Sequence, residues 1–270
     1  GIFQAGKVPY VVAYAIHPDI TRTGNYVFRV SAMGEVQGRG GAKLVSTLGK
    51  KKVTIITVKN DFGQALAAGF KEAAPKFGLQ ITGEYEYGMA DRQFGAVVSK
   101  VKADAPEVIY ASGYFFNAGP LVSQLRAAGI TAPIIGQEGY DSDKFIEIAG
   151  AASEGTLVTT SLDRDSDVPA TKAFLADYRK ANNAGADMVA AASFTATSVL
   201  IEGLKKSGGK GGDALRAAMA GGTYVTPIGK LTFNSLNEVA KDIQVQVVKD
   251  KAFRRHSVIS DAALLAPPTK

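Results

Sequence analysis

The run Val53-Thr54-Ile55-Ile56-Thr57-Val58, followed almost at once by Asn60-Asp61-Phe62-Gly63, decides the fold. Six consecutive β-branched residues suit a strand covered on both faces. The period then changes: Phe62, Leu66, Phe70 and Phe77 fall on one helical face, and Gly78 stops the helix. The alternation repeats downstream. Apolar or β-branched runs at 79–87, 107–111, 132–135 and 156–160 are separated by segments carrying Phe94, Val97, Val98 and Val101, then Leu121, Val122 and Leu125. Those segments close at Ala105-Pro106 and Gly129. Val53, Ile81, Val108 and Ile134 lie 28, 27 and 26 residues apart, one βα unit each. Parallel strands need right-handed crossovers and cover on both faces, so residues 39–162 are predicted to form a doubly wound α/β lobe.

Outside that lobe the pattern is less regular. Residues 8–15 and 26–30 read as strands, the first almost wholly apolar and therefore central. Helices are predicted over 169–181, 187–206 and 212–219, a strand hairpin between 228–234 and 243–248, and an edge extension or frayed tail over 256–270. Segments on both sides of the regular lobe thus build a second one. Crossings at 30–34, 161–167 and 239–242 would make a three-strand hinge, with residues 1–34 and 162–241 in lobe 1 and residues 35–161 and 242–270 in lobe 2.

The composition removes several classes of function. Hydrophobic residues at 46% and charged residues at 21% exclude disorder, and no run reaches the ~18 apolar residues of a membrane span. Zero cysteines exclude thiol catalysis, iron–sulfur clusters, zinc–thiolate sites and disulfides, and only His17 and His256 could serve as imidazole ligands. The net charge of +6 is scattered, without the basic stripe and interleaved aromatics of a nucleic-acid binder. No Walker A loop, Gly-x-Ser-x-Gly elbow or His-Glu-x-x-His occurs. Gly208 to Gly212 follows a helix and reads as a surface turn, not a dinucleotide loop. Asp163-x-Asp165-x-Asp167 begins like a calcium loop, but Val168 stands where glycine is needed and Phe174 where the closing glutamate would be. It reads as an acidic connection capping the helix after Pro169. No cofactor, metal or catalytic residue is expected.

Binding remains. In open α/β sheets, ligands sit beyond the carboxyl ends of the strands. There Asp61 with Gln64 suggests a capping box, and Phe62 stands at the rim. Gly113-Tyr114-Phe115-Phe116-Asn117 follows the strand ending near Tyr110, and Gly136-Gln137-Glu138-Gly139 follows Ile135. Core packing competes with ligand contact for Phe62, Phe115 and Phe116. Glu138 could receive a ligand ammonium as a charge-assisted hydrogen bond, or cap a helix. Tyr114 after a strand-end glycine is the better aromatic candidate.

These residues carry a family likeness. Pro9-Tyr10-Val11-Val12 through His17-Pro18-Asp19-Ile20-Thr21, then Tyr26-Val27-Phe28-Arg29, Asn60 to Gly63, Gly119 to Arg126, Gly136 to Gly139 and Ala152 to Gly155 together resemble the type I periplasmic binding proteins. The group most resembled is the leucine/isoleucine/valine-binding receptors of ABC importers. The resemblance implies an extracytoplasmic receptor that closes two lobes on a small carboxylate, an amino acid above all, and presents it to a membrane permease. It implies that Glu138 meets the ligand ammonium, that Phe62 and Tyr114 close over the ligand, and that Tyr14, Ala15 and Ile16 supply backbone from the other lobe; Asp61 and Phe115, read from the strand ends, complete the candidate ligand-binding residues. Ile16 stands where amino-acid binders carry threonine or serine, so an aromatic acid is the competing ligand. A cytoplasmic amide or amino-acid sensor on the same fold is the competing function. The resemblance further implies a first lobe lacking about three N-terminal βα units of roughly 30 residues each. Such a lobe would have an exposed sheet edge and could self-associate. No signal peptide is read in the first residues, and a periplasmic location is expected from the family alone.

Overall fold

A computed structural model of the chain describes residues 1–269. Five strands at its centre run parallel: β3 (Lys52–Val58), β4 (Gln80–Tyr87), β5 (Val108–Ala111), β6 (Ile134–Gly136) and β7 (Leu157–Thr160). They follow β1 (Tyr10–Val12) and β2 (Val27–Arg29), which form a parallel pair of their own. Two later hairpins are β8 (Thr223–Thr226) with β9 (Gly229–Thr232), and β10 (Ile243–Lys249) with β11 (Ala252–Ile259). The seven-stranded sheet has the order β11-β10-β7-β6-β5-β3-β4. The helices are α1 (Ile2–Ala5), α2 (Asp19–Arg22), α3 (Gly34–Thr47), α4 (Asp61–Ala73), α5 (Gly95–Asp104), α6 (Phe115–Ala127), α7 (Asp143–Ala149), α8 (Pro169–Asn182), α9 (Met188–Lys206) and α10 (Gly212–Ala220).

Strand alternation divides the core. Ile56, Ile109 and Ile134 point to one face of the sheet, under α5, α6 and α7. Their neighbours Ile55, Tyr110 and Ile135 point to the other, under α3 and α4. The helix stops stand where the sequence puts them, with φ of 61° at Gly78, 46° at Ala105 and 79° at Gly129. A third apolar cluster gathers Val11, Phe28, Val30, Leu162, Met188, Val199 and Val239 around β1, β2 and α9. The chain passes between this cluster and the main sheet three times: between Val30 and Ala32, between Val158 and Leu162, and between Val239 and Ile243.

Three sequence expectations change and one is narrowed. The hairpin joining 228–234 to 243–248 does not form, because β9 pairs with β8 while β10 lies between β7 and β11. Val245 and Val248 are fully buried on opposite faces, which needs a covered sheet that a two-stranded hairpin cannot supply. β1 spans only three residues and, among the described residues, pairs with β2 alone, so it is not a central strand. Of the two readings of the tail the edge extension holds and the frayed one does not: residues 256–259 lie on β11 at the edge of the sheet, Leu264 and Leu265 are buried, and Arg39 donates to the carbonyls of Leu264 and Ala266. One helix, α9, does have the length and apolarity of a membrane span. Met188, Ala191, Ala192, Thr195, Ala196, Val199 and Gly203 are buried in the third cluster, while Phe194 (51% exposed) and Ile201 (48%) face outward.

The closest helix approach is α3 on α4. A Cβ on Gly38 would lie 2.2 Å from the Leu66 carbonyl oxygen, and one on Gly69 would lie 2.1 Å from that of Glu35. Backbone must move to admit either. Gly69→Ala is therefore expected to destabilise the chain by about 1–3 kcal/mol. Gly95→Ala, at an open position on α5, should cost nothing, and urea unfolding of the two variants checks both.

Candidate functional site

The carboxyl ends of β3 and β5 are pinned together before either reaches the surface. Ser112 Oγ accepts the Val58 amide at 3.0 Å, and Tyr87 donates its hydroxyl to the Ser112 carbonyl at 2.7 Å. Asn60 then caps α4, accepting the Gly63 amide at 2.9 Å, and its Nδ2 donates to the Tyr114 hydroxyl at 3.2 Å. That bond and the cap set Phe62 against Tyr114, ring centroids 5.0 Å apart. Tyr114 stacks in turn on Phe116 at 5.7 Å, with Arg92 4.9 Å over the Phe116 ring.

Facing this aromatic wall is the extended segment after β1. Four of its carbonyls are engaged: Ala13 by Ser31 Oγ, Ala15 and His17 by Arg29 Nη1 at 3.3 and 2.7 Å, and Ile16 by the Gly34 amide at 3.1 Å. The amide N–H groups of Tyr14, Ala15, Ile16 and His17 meet no acceptor among the described residues. Between the two walls lies a cavity of about 550 Å³, bounded by Tyr14, Ala15, Ile16 and His17 on one side and Asp61, Phe62 and Tyr114 on the other. Another cavity of about 530 Å³ lies between α3, α4 and the carboxyl-terminal segment. There Arg39 pairs with Glu72, and Arg22 pairs with Asp19.

Glu138 lies beneath the cleft, buried, at the start of the turn after β6. Ser161 donates to one carboxylate oxygen at 2.9 Å and Gln37 to the other at 3.2 Å. Burial pushes its pKa up to about 7, against the opposing pull of Lys241. Burial likewise lowers Lys241 to about 8, and its ammonium makes no hydrogen bond among the described residues. Burial, then the nearby Glu138, holds the Tyr14 phenol well above its ordinary value, so it stays a neutral donor.

A sequence model described as periplasmic binding protein matches residues 1–252. The chain belongs to that family. This periplasmic binding protein is 31% identical over 243 residues to a Leu/Ile/Val-binding protein homolog of Brucella melitensis, covering 88% of this chain and 66% of the relative. It is 26% identical over 240 residues to the leucine-, isoleucine-, valine-, threonine- and alanine-binding protein of Pseudomonas aeruginosa, covering 88% and 64%. The chain thus spans about two thirds of the length of the curated relatives it matches. A leucine-binding protein of Thermotoga maritima superposes with a TM-score of 0.89 at 25% identity, over 96% of this chain and 75% of the other. A solute-binding protein of R. palustris in complex with benzoate shares the fold at a TM-score of 0.87 and 22% identity, over 97% and 75%.

Tyr14, Ala15, Ile16, Asp61, Phe62 and Tyr114 of this binding protein meet at one cavity. Two other residues named from sequence do not line it. Phe115 is half-buried against the main core, and Glu138 is buried. The Asp61–Gln64 capping box is replaced by the Asn60 cap, and the Gln64 amide donates to Glu86 instead. Asp163, Asp165 and Asp167 are engaged by cations instead: Arg255 pairs with Asp163, Arg254 with Asp165 and Lys172 with Asp167. Sequence reading missed Arg29, Gln37, Ser161 and Lys241. Only Arg29 carried a signal, as a charge inside the apolar run Tyr26-Val27-Phe28-Arg29-Val30.

Because the Glu138 pKa is raised on folding, the folded state keeps its proton while the unfolded chain loses one. Its contribution is present below pH 4.5 and is lost as pH rises through about 7. Relative to Glu138→Gln, the natural chain should lose stability of the order of 1–3 kcal/mol between those limits. Urea unfolding of both proteins at pH 5 and pH 8 reads this difference, and parallel curves would contradict the burial argument.

Proposed function

We propose that this chain is the ligand-binding part of an extracytoplasmic solute receptor of an ABC importer. It holds a small carboxylate between two lobes, residues 1–34 with 162–241 and residues 35–161 with 242–270, and presents the closed form to a membrane permease from the periplasm. One observation carries the reading: a cavity bounded by the segment from Tyr14 to His17 on one side and by the Phe62–Tyr114 aromatic pair on the other. The N–H groups of Tyr14 to His17 suit a carboxylate, and Ile16, Ile20, Phe62 and Tyr114 suit an apolar body. In this reading the ligand is bound and released unchanged, in keeping with relatives that are named for binding.

A branched-chain or other apolar amino acid is the leading ligand, in keeping with the names of the curated relatives. Its ammonium would point down toward Glu138, with Tyr14 and Tyr114 alongside. A second ligand, an aromatic acid, is favoured by one feature. Glu138 already has hydrogen bonds from Ser161 and Gln37 and a buried cation nearby in Lys241, so it does not require an incoming ammonium.

Calorimetry with L-leucine and with benzoate separates the two. Phe62→Ala should weaken whichever ligand binds by about tenfold or more, from lost apolar burial. Glu138→Gln should weaken L-leucine at least tenfold and leave benzoate within twofold. Chemical turnover of either compound would refute a receptor.

A further inference from the structure

Arg29 ends β2 with its side chain wholly buried, and Glu238 faces it from the segment leading into the third passage between the clusters. Arg29 Nε donates to Glu238 Oε2 at 3.0 Å and Nη2 donates to Oε1, a bidentate pair. Thr21 Oγ1 donates to the same Oε1, and the Glu238 amide donates to Asn234 Oδ1 at 3.0 Å. The remaining guanidinium nitrogen, Nη1, reaches the carbonyls of Ala15 and His17.

A buried ion pair gives little or no stability over an apolar pair of the same volume. Its presence here calls for another use, and the geometry supplies one. The side-chain hydrogen bonds that leave the pair end on the carbonyls of Ala15 and His17 in the cleft wall or on Thr21 of α2 beside it. Arg29 stands next to Val30, at the first passage, and Glu238 next to Val239, at the third. We infer that Arg29 and Glu238 are positioning residues of the cleft, holding the carbonyls of Ala15 and His17 backward so that the wall from Tyr14 to His17 is preformed and moves with two of the three passages. The inference rests on the proposed binding reading for its purpose. Its geometry can be tested without a ligand.

The test uses the 270-residue chain carrying Arg29→Met together with Glu238→Met, which removes both charges at once, and Glu238→Gln, which keeps shape and one acceptor. Val199→Ala, a cavity in the same apolar cluster, serves as the stability control. The first readout is the amide resonances of Ala15, Ile16 and His17 in the free protein. The second is the dissociation constant for L-leucine and for benzoate, well below the melting temperature. Both pair variants should displace those resonances and weaken the bound probe at least tenfold. Val199→Ala should lower the melting temperature yet leave resonances in place and affinity within twofold. Resonances of the pair variants that coincide with those of the natural chain would overturn the inference. So would an equal displacement in Val199→Ala at matched loss of melting temperature. If the natural chain binds neither probe, the proposed ligand classes fail while the amide readout still decides the positioning role.

Discussion

A parallel sheet has to be covered on both faces, and every return between its strands has to run through a helix. From this constraint comes the position of the cleft. Strands β3, β5 and β6 all end at one edge, so the loops after them are brought side by side. Their approach is close: a Cβ on Gly139, after β6, would lie 2.0 Å from the Gly113 carbonyl oxygen, after β5. Glycine at 139 is what lets the two loops touch, and the touch places Tyr114 and Glu138 at one end of the sheet.

The cleft divides its work between two kinds of group. The aromatic wall is fixed by neutral hydrogen bonds and ring packing, Asn60 to Tyr114 and Phe62 on Tyr114. The opposite wall is fixed by backbone, with carbonyls occupied from behind and N–H groups free. Backbone donors carry no net charge and cannot titrate, so a carboxylate held there is held alike across the physiological pH range.

Besides Asp19 and Asp61 at the cavity, a buried cluster of charged and polar groups surrounds Glu138. Gln37, Ser161 and Lys241, each next to a different passage between the clusters, converge on Glu138. The buried Arg29–Glu238 pair links the first and third passages on the other side. Removing one partner from such a pair costs about 3–5 kcal/mol, because the survivor is left charged in a poor dielectric. The passages are therefore connected through polar groups that tolerate little displacement, whereas the apolar clusters on either side give the lobes their bulk.

The sequence by itself determined the parallel lobe. Hydrophobic periodicity is a local property, and strand and helix each declare it within ten residues, as Val53 to Val58 and Phe62 to Phe70 do. It also determined the cleft's aromatic rim, since Phe62 and Tyr114 follow directly from strand ends. What only the tertiary structure decided are the pairings between distant segments. β10 chose β7 over β9 because full burial of Val245 and Val248 outweighs nearness in sequence. Tyr114 and Phe115 both pack against the core, yet only Tyr114 also lines the cavity. Arg29 met Glu238 across 209 positions, and Glu138 met Gln37 across 101. Each of these is a buried polar group satisfied by a partner far along the chain, and the need for a partner is written in the residue while its identity is written only in the fold.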